Sequence, residues 1–374
     1  MSATIIGAAM TPSGNLQGAT PLSLCTDAIA GAVADAGIDP RSIDGVFAKL
    51  PSSAPSSMFS QAVSESIGVA PRVAMSVDQG GASMVSMIGM AALAIDAGMC
   101  SIAVVVMGDI PRSGKRPYDR EWGDSSRFGW SGIAAGYAMV ARRHMELWGT
   151  TSAQLGAIAA VTRKYGASNP GAQLRKLLTV EEHQAEGFIV DPLRRSDCCL
   201  ISDAGAAVIV TARATAVQLG ARKPVPVLGF GQAHTSWSIE QRPELTDTLA
   251  AKSAAAAFEM AGVAPADISL AQIYDCFSIT SLMTLESYGF CERGSGGPFA
   301  ASGALDLDGT LPMNTSGGLL SESGMPGGQL VVEGVRQMRG ESWSQVENPS
   351  TVIVSGQGGV MHTHSTLILE ASCS

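Results

Sequence analysis

The sequence predicts an α/β chain made of two similar halves. A helix-to-strand junction is written twice: Ala36-Gly37-Ile38-Asp39-Pro40 leads into Ile43–Ala48, and Ala261-Gly262-Val263-Ala264-Pro265 leads into Ile268–Tyr274. A glycine pair also opens a helical stretch twice. Gly80-Gly81 precedes one that reaches the strand-like run Ala103–Gly108, and Gly317-Gly318 precedes one that reaches Thr351–Gly356. Length agrees, because 374 residues exceed the span of one hydrophobic core, about 250–300 residues. The halves are placed at 1–220 and 221–374, with an inserted loop region over about 109–200. The active site of a fused duplication is expected where its halves meet.

The elements follow in order. Thr4–Ala8 is an apolar first strand. Thr20-Pro21 supplies an N-cap and a proline at the first helical position, and Leu22, Ala28, Ile29, Val33 and Ala36 form one apolar face. Gly37 stops that helix, Gly45–Ala48 is a strand, and the Ser- and Pro-rich stretch 51–60 is a loop. Ser76–Ser83 turns from a short strand through two glycines into an apolar helix ending at Gly98. Residues 109–130 (Arg112, Lys115, Arg116, Tyr118, Trp122, Trp130) lack periodicity and read as loop, continuing through 165–200. Val208–Thr211 closes the first half. The second half repeats the order with a strand at Val227–Phe230, a helix over 244–261, Ile273–Phe277, a helix to about Tyr288, a loop at Gly294–Gly297, Asn314–Gly318 and closing strands. Alternating β and α elements define the class.

Bulk properties exclude several functions. Hydrophobic residues reach 46% against 15% charged, as suits large buried sheets and a wide oligomer interface. The net charge of −9 opposes non-specific nucleic-acid binding. Seven scattered cysteines, with only Cys198-Cys199 adjacent, form neither a disulfide framework nor a zinc site, so a reducing cytoplasm is expected. No apolar run is long enough for a membrane span.

Some residues invite a chemical reading by themselves. Gly80-Gly81 is not a dinucleotide fingerprint, since no GxGxxG follows. Helix-start N–H groups there can form an oxyanion hole, or the pair is simply a tight turn. His362 and His364 alternate, so on a strand they share one face, either lining a site or lying on the surface; no further ligands accompany them, and no metal site is expected. His144, His183 and His234 have no motif context.

The segments Tyr274-Asp275-Cys276-Phe277, Leu285-Glu286-Ser287-Tyr288-Gly289-Phe290-Cys291 and Asn314-Thr315-Ser316-Gly317-Gly318 carry a resemblance. So does Asp191-Pro192-Leu193 followed by Asp197-Cys198-Cys199 and Ser202–Ala207. Over nearly the whole chain these resemble the thiolase superfamily, in its sterol-carrier or lipid-transfer-protein-type branch. The resemblance implies a five-layered αβαβα sandwich of two similar halves, a homodimer, and an acyl-CoA thioester as substrate without a separate cofactor. It also implies four reactive positions, all of them replaced here. Gly81 stands for the nucleophilic Cys and Tyr274 for the first His. Gly324 falls at the second His, and the Gly356-Gln357-Gly358 turn at the acid/base Cys.

Without a thiolate at position 81 an acyl-enzyme cannot form in the usual way, and no base is set to activate Ser83. Retro-aldol cleavage of a β-hydroxyacyl-CoA breaks the same bond without a covalent intermediate; it needs a base at the β-hydroxyl and donors for the enolate. The resemblance extends to steroid side-chain aldolases that lack the nucleophilic Cys and work with a small OB-fold/zinc-ribbon partner. Tyr274 is then the acid/base candidate, or it only fills the vacated His pocket. Asp275 either orients Tyr274 or caps a helix, Cys276 is either reactive or a small buried residue, and Asn314 either holds the thioester oxygen or shapes a loop. Arg112, Lys115, Arg116 and Arg127 either meet CoA phosphates or form a solvated loop. An acyltransferase with a displaced nucleophile and a non-catalytic acyl-CoA- or lipid-binding subunit are the competing functions.

Overall fold

The computed structural model describes residues 1–116, 127, 129–130, 132–236 and 239–372. The first half runs β1 (Ala3–Met10), α1 (Pro21–Ala36), β2 (Gly45–Lys49), α2 (Phe59–Ser66), β3 (Val73–Val77), α3 (Ser83–Asp96) and β4 (Ile102–Asp109). It continues through α4 (Gly132–Trp148), α5 (Ser152–Ser168), α6 (Val180–Ala185), the hairpin β5 (Phe188–Val190) and β6 (Leu193–Arg194), β7 (Ala204–Ala212) and α7 (Arg213–Gln218). The second half comprises β8 (Val225–His234), α8 (Ala250–Ala261), β9 (Leu270–Gln272), α9 (Ser278–Ser287), α10 (Gly296–Ala301), α11 (Gly328–Arg339), β10 (Thr351–Gly358) and β11 (Thr363–Glu370).

The repeated junction has one local cause. Gly37 (φ 67°) and Gly262 (φ 69°) end α1 and α8 in the left-handed conformation that glycine adopts at no steric cost. A 3-10 turn follows in each half, Pro40–Ser42 and Pro265–Asp267, and delivers the chain to a strand. Thr20 caps α1 as expected, accepting the Ser23 N–H at 3.0 Å.

The strands lie in the order β3-β2-β4-β7-β1-β8-β11-β10-β9. In the first half β2 runs parallel to β4, and β7 runs antiparallel to β4 and β1. In the second half β9 runs parallel to β10, and β11 runs antiparallel to β10 and β8. The halves therefore share one topology and meet edge to edge, where Thr4 pairs with Pro226 and Ile5 with Val225. The strands of the two halves are joined at this one seam into a continuous order of nine.

Helices α3 and α11 each pack on strands of both halves, while α1 covers β1, β4 and β7, and α8 covers β8 and β11. The layering is α1, first-half strands, α3 with α11, second-half strands, α8. That is the expected αβαβα sandwich. α3 can occupy the central layer because Met84, Val85, Met87, Ile88, Ala91 and Ala92 make most of it apolar and buried, only its C-terminal end reaching the surface at Leu93 and Asp96.

The insertion departs from expectation. Much of 109–200 is helical, not loop: α4, α5 and α6 lie there, the last two starting at capping boxes on Thr151 and Thr179. The buried face of α4, Gly136, Tyr137, Val140, Ala141 and His144, has helical spacing. Tyr118 and Trp122 lie outside the described residues. α8 also starts later than 244, at Ala250, after Leu249 takes φ 60°. Among the described residues no helix is long and apolar enough to cross a membrane.

Candidate active site

Tyr274 leaves the end of β9 with its backbone N–H donating to Ser355 Oγ on β10 (2.8 Å), and it is buried. Its phenol reaches across the central layer to Gly81, just ahead of α3. A Cβ built on Gly81 would overlap the Tyr274 hydroxyl oxygen, Cζ and Cε2. No side chain fits at position 81 while the tyrosine stands there. The two substitutions singled out in the sequence are therefore one steric unit, contributed by opposite halves.

The turns around this contact are tightly interlocked. A Cβ on Gly80 (φ 56°) would lie 3.0 Å from Gly358 Cα; Gly356-Gln357-Gly358, expected as a turn, is the end of strand β10 and rests directly on the first glycine turn. Ser365 Oγ on β11 donates to the Ala82 carbonyl (3.0 Å). Ser83 is fully buried; its hydroxyl accepts the Gln79 N–H (2.8 Å) and donates to the Gly80 carbonyl (2.7 Å). The N–H groups of Ala82 and Ser83 are bonded to the Gln79 and Gly80 carbonyls. Hence the oxyanion hole expected at this helix start is not built from those two donors.

A second cluster lies directly behind Tyr274. Asp275 is fully buried and accepts the N–H groups of Leu319 (2.7 Å) and Leu320 (3.3 Å), capping the short π-helical turn Gly318–Glu322. Burial raises its pKa to about 7, against the pull of those two N–H groups and the Asn314 amide. Asn314 (φ 54°) accepts the Ile273 N–H through Oδ1 (2.7 Å) and donates to the Ile273 carbonyl through Nδ2 (2.9 Å). With its amide bonded to the backbone of the residue before Tyr274 and also engaging the Asp275 carboxylate, Asn314 clamps the strand end. Gly317 (φ 109°) and Gly318 (φ 57°) bring the turn against the Asp275 carboxylate.

Other sequence candidates lie elsewhere. His364 points away from the central layer to α8, with Nδ1 2.7 Å from Ser253 Oγ, and burial lowers its pKa to about 3. His362 precedes β11 in the turn, its N–H on the Gly358 carbonyl (3.0 Å), so the two histidines do not share a strand face. Arg112 and Lys115 occupy an exposed turn after β4. Asp203 holds that turn by accepting the N–H groups of Arg112 (2.8 Å) and Ser113 (3.1 Å). Gly324 is wedged against Leu200, whose carbonyl a Cβ would overlap, so the expected second-His position admits no side chain. His144 (3.2 Å from Glu286) and His183 (3.0 Å from Asp197) are buried structural partners. Burial pushes the Cys276 thiol up to about 11.

Sequence reading missed Tyr137. Fully buried on α4, it donates to the Gly359 carbonyl (2.8 Å), accepts from Gln357 Nε2 (2.9 Å), and stacks on Phe277 with centroids 4.4 Å apart. The helical spacing around it was the available signal, hidden inside a segment taken as loop.

Comparison with known proteins identifies the family and the fold. Residues 231–371 match the thiolase C-terminal domain-like family. The chain is 34% identical to a 17-hydroxy-3-oxo-4-pregnene-20-carboxyl-CoA lyase of Mycobacterium tuberculosis, over 96% of this chain and 97% of that protein. The chain belongs to the thiolase superfamily. Within this thiolase-like, sterol-carrier-type group it is also 32% identical to a steroid side-chain-cleaving aldolase of Thermomonospora curvata, over 96% of each chain. The solved Ltp2-ChsH2(DUF35) aldolase superposes with TM-score 0.89 at 30% identity, covering 99% of this chain and 98% of that one. An acetyl-CoA acetyltransferase of Syntrophomonas wolfei (TM-score 0.74, 17% identity, 98% of each chain) shares the fold.

Proposed function

We propose that this thiolase-superfamily chain is a lyase that cleaves a β-hydroxyacyl-CoA with a steroid or similarly bulky acyl group by retro-aldol chemistry. The observation that carries the reading is the Tyr274 hydroxyl standing where a side chain at position 81 would have to be. A hydroxyl replaces the nucleophile, and the nearby Ser83 is buried with its oxygen already bonded. That removes the basis for an acyl-enzyme and argues against the acyltransferase alternative.

In the proposed reaction Tyr274 takes the proton of the β-hydroxyl. The carbon–oxygen bond becomes a carbonyl as the α–β carbon bond breaks, and the electron pair passes into the thioester enolate. The enolate then takes a proton at its α-carbon, with Tyr274 as the donor, giving a ketone and a shortened acyl-CoA. The sequence is redox-neutral and requires no cofactor beyond the CoA carried by the substrate. The aldolase names of the two relatives support a steroid side chain as the acyl group. The Ltp2-ChsH2(DUF35) pairing supports a partner protein; we take that partner to be a small OB-fold/zinc-ribbon chain, this chain to be a homodimer, and CoA phosphates to meet the exposed Arg112 and Lys115 turn.

The test is to supply 17-hydroxy-3-oxo-4-pregnene-20-carboxyl-CoA and simpler β-hydroxyacyl-CoA esters, with and without an OB-fold/zinc-ribbon partner protein. Release of a 17-ketone plus propionyl-CoA is expected from the steroid ester. Intact substrates under both conditions sink the reading, and an acyl adduct on Ser83 or a cysteine points to acyl transfer instead.

A further inference from the structure

Tyr137 touches two of the loops that frame Tyr274, yet it comes from α4 in the inserted segment of the other half. Its ring stacks on Phe277, three residues beyond Tyr274, at an interplanar angle of 27°. Its hydroxyl bonds the turn that follows β10, giving its proton to the Gly359 carbonyl (2.8 Å). Having one proton, the hydroxyl meets Gln357 as acceptor, so the amide must present Nε2 (2.9 Å), as observed. Gln357 is buried, and its Oε1 has no hydrogen-bond partner among the described residues. The Tyr137 contact is therefore what orients this amide. The segment so held is the one that rests on Gly80, with 3.0 Å between Gly358 Cα and a Cβ built on Gly80. Gly80 in turn sets Gly81, the surface against which the Tyr274 hydroxyl lies. A continuous packed path thus runs from Tyr137 through Gly359 and Gly80 to Gly81.

We infer that Tyr137 and Gln357 act as a polar bridge that positions the end of β10 and the turn opening at Gly359, and through them the start of α3, against the Tyr274 hydroxyl. Tyr137 is a positioning residue on this account; it acts on the reacting group through backbone. The inference rests on the lyase reading for its kinetic consequence only. The bridge itself is a structural statement and can be judged without turnover.

The experiment uses the full chain, with any partner it requires, and compares Tyr137→Phe, Gln357→Leu and the double variant. Tyr137→Phe keeps the stack on Phe277 and removes only the hydroxyl. Each single variant should lose about ten- to a hundred-fold in kcat through misplacement of the α3 start, with KM unchanged. The double variant should lose no more than either single one, because the two residues make one interaction. Hydrogen exchange should rise in the peptides covering 78–83 and 356–362 in all three. An unchanged kcat in Tyr137→Phe, losses that multiply in the double variant, or a KM that rises in step with the fall in kcat would each overturn the bridge. If the wild type cleaves no β-hydroxyacyl-CoA, the lyase reading falls while exchange still decides: unchanged uptake in those two peptides rejects the inference, and increased uptake confined to them sustains it.

Discussion

The two halves carry the same device, a glycine pair opening a helical turn toward the centre, and fill it differently. At Gly80-Gly81 the space where a side chain would stand is taken by the phenol of Tyr274. At Gly317-Gly318 it is taken by the carboxylate of Asp275, which a Cβ on Gly318 would overlap. Neighbouring residues beyond one strand end thus serve the start of α3 and the short π-helical turn Gly318–Glu322; the long helix expected to open at Gly317-Gly318, α11, starts only at Gly328. Asp275 satisfies backbone donors at Leu319 and Leu320, as a cap does. Tyr274 instead aims a hydroxyl at the first half's turn, where the N–H groups of Gln79, Ala82 and Ser83 are already paired within the turn. One copy of the device has been spent on structure, which leaves the other available for chemistry.

Substitutions can break this contrast. The largest effect is expected for Tyr274→Phe, which should lose about 10²–10⁴ in turnover while the melting temperature barely moves. A comparable activity loss in Asp275→Asn without loss of stability would blur the distinction. Gly81→Ala should cost about 1–3 kcal/mol by overpacking against the phenol. That cost should vanish when Tyr274 is also changed to Ala, as a denaturation double-mutant cycle will show; a cost that persists means the two sites are not one steric unit.

Asp275 offers a pH test of its structural role. Its pKa rises from the ordinary value of 3.8 to about 7 in the folded chain. Between those values the native state holds a proton that the unfolded state has released, so this group's contribution to stability declines as pH climbs through that window. Asp275→Asn should flatten that part of the stability–pH profile, measured by urea denaturation at several pH values. An unaltered profile would assign the slope to other buried acids, such as Glu322, whose pKa burial raises to about 8. The smallest effect belongs to Ser83→Ala, which removes one staple of the first turn and should cost about 0.5–1.5 kcal/mol.

Much of this was legible in the chain because short-range chemistry wrote it there. Gly37 and Gly262 announce their helix ends, and Gly81 and Tyr274 mark the altered site without any coordinates. Their mutual exclusion was not legible, since it depends on how α3 and β9 meet across the central layer. The amide of Asn314 could be assigned only once both its atoms were seen on Ile273. Strand alternation suggested a shared face for His362 and His364, but the strand begins between them. Helices α4 to α6 went unseen where small residues such as Gly136 and Ala141 weaken the apolar signal.

The fit between Gly81 and Tyr274 also constrains the routes by which this sequence can change. A cysteine arriving at position 81 meets the phenol before it meets any substrate, so it gains no chemistry and burdens the fold. A histidine arriving at position 274 first faces a glycine and has no thiol to activate. Neither single step toward a cysteine–histidine site is useful alone, so any route to one runs through variants that carry the steric cost without the chemistry.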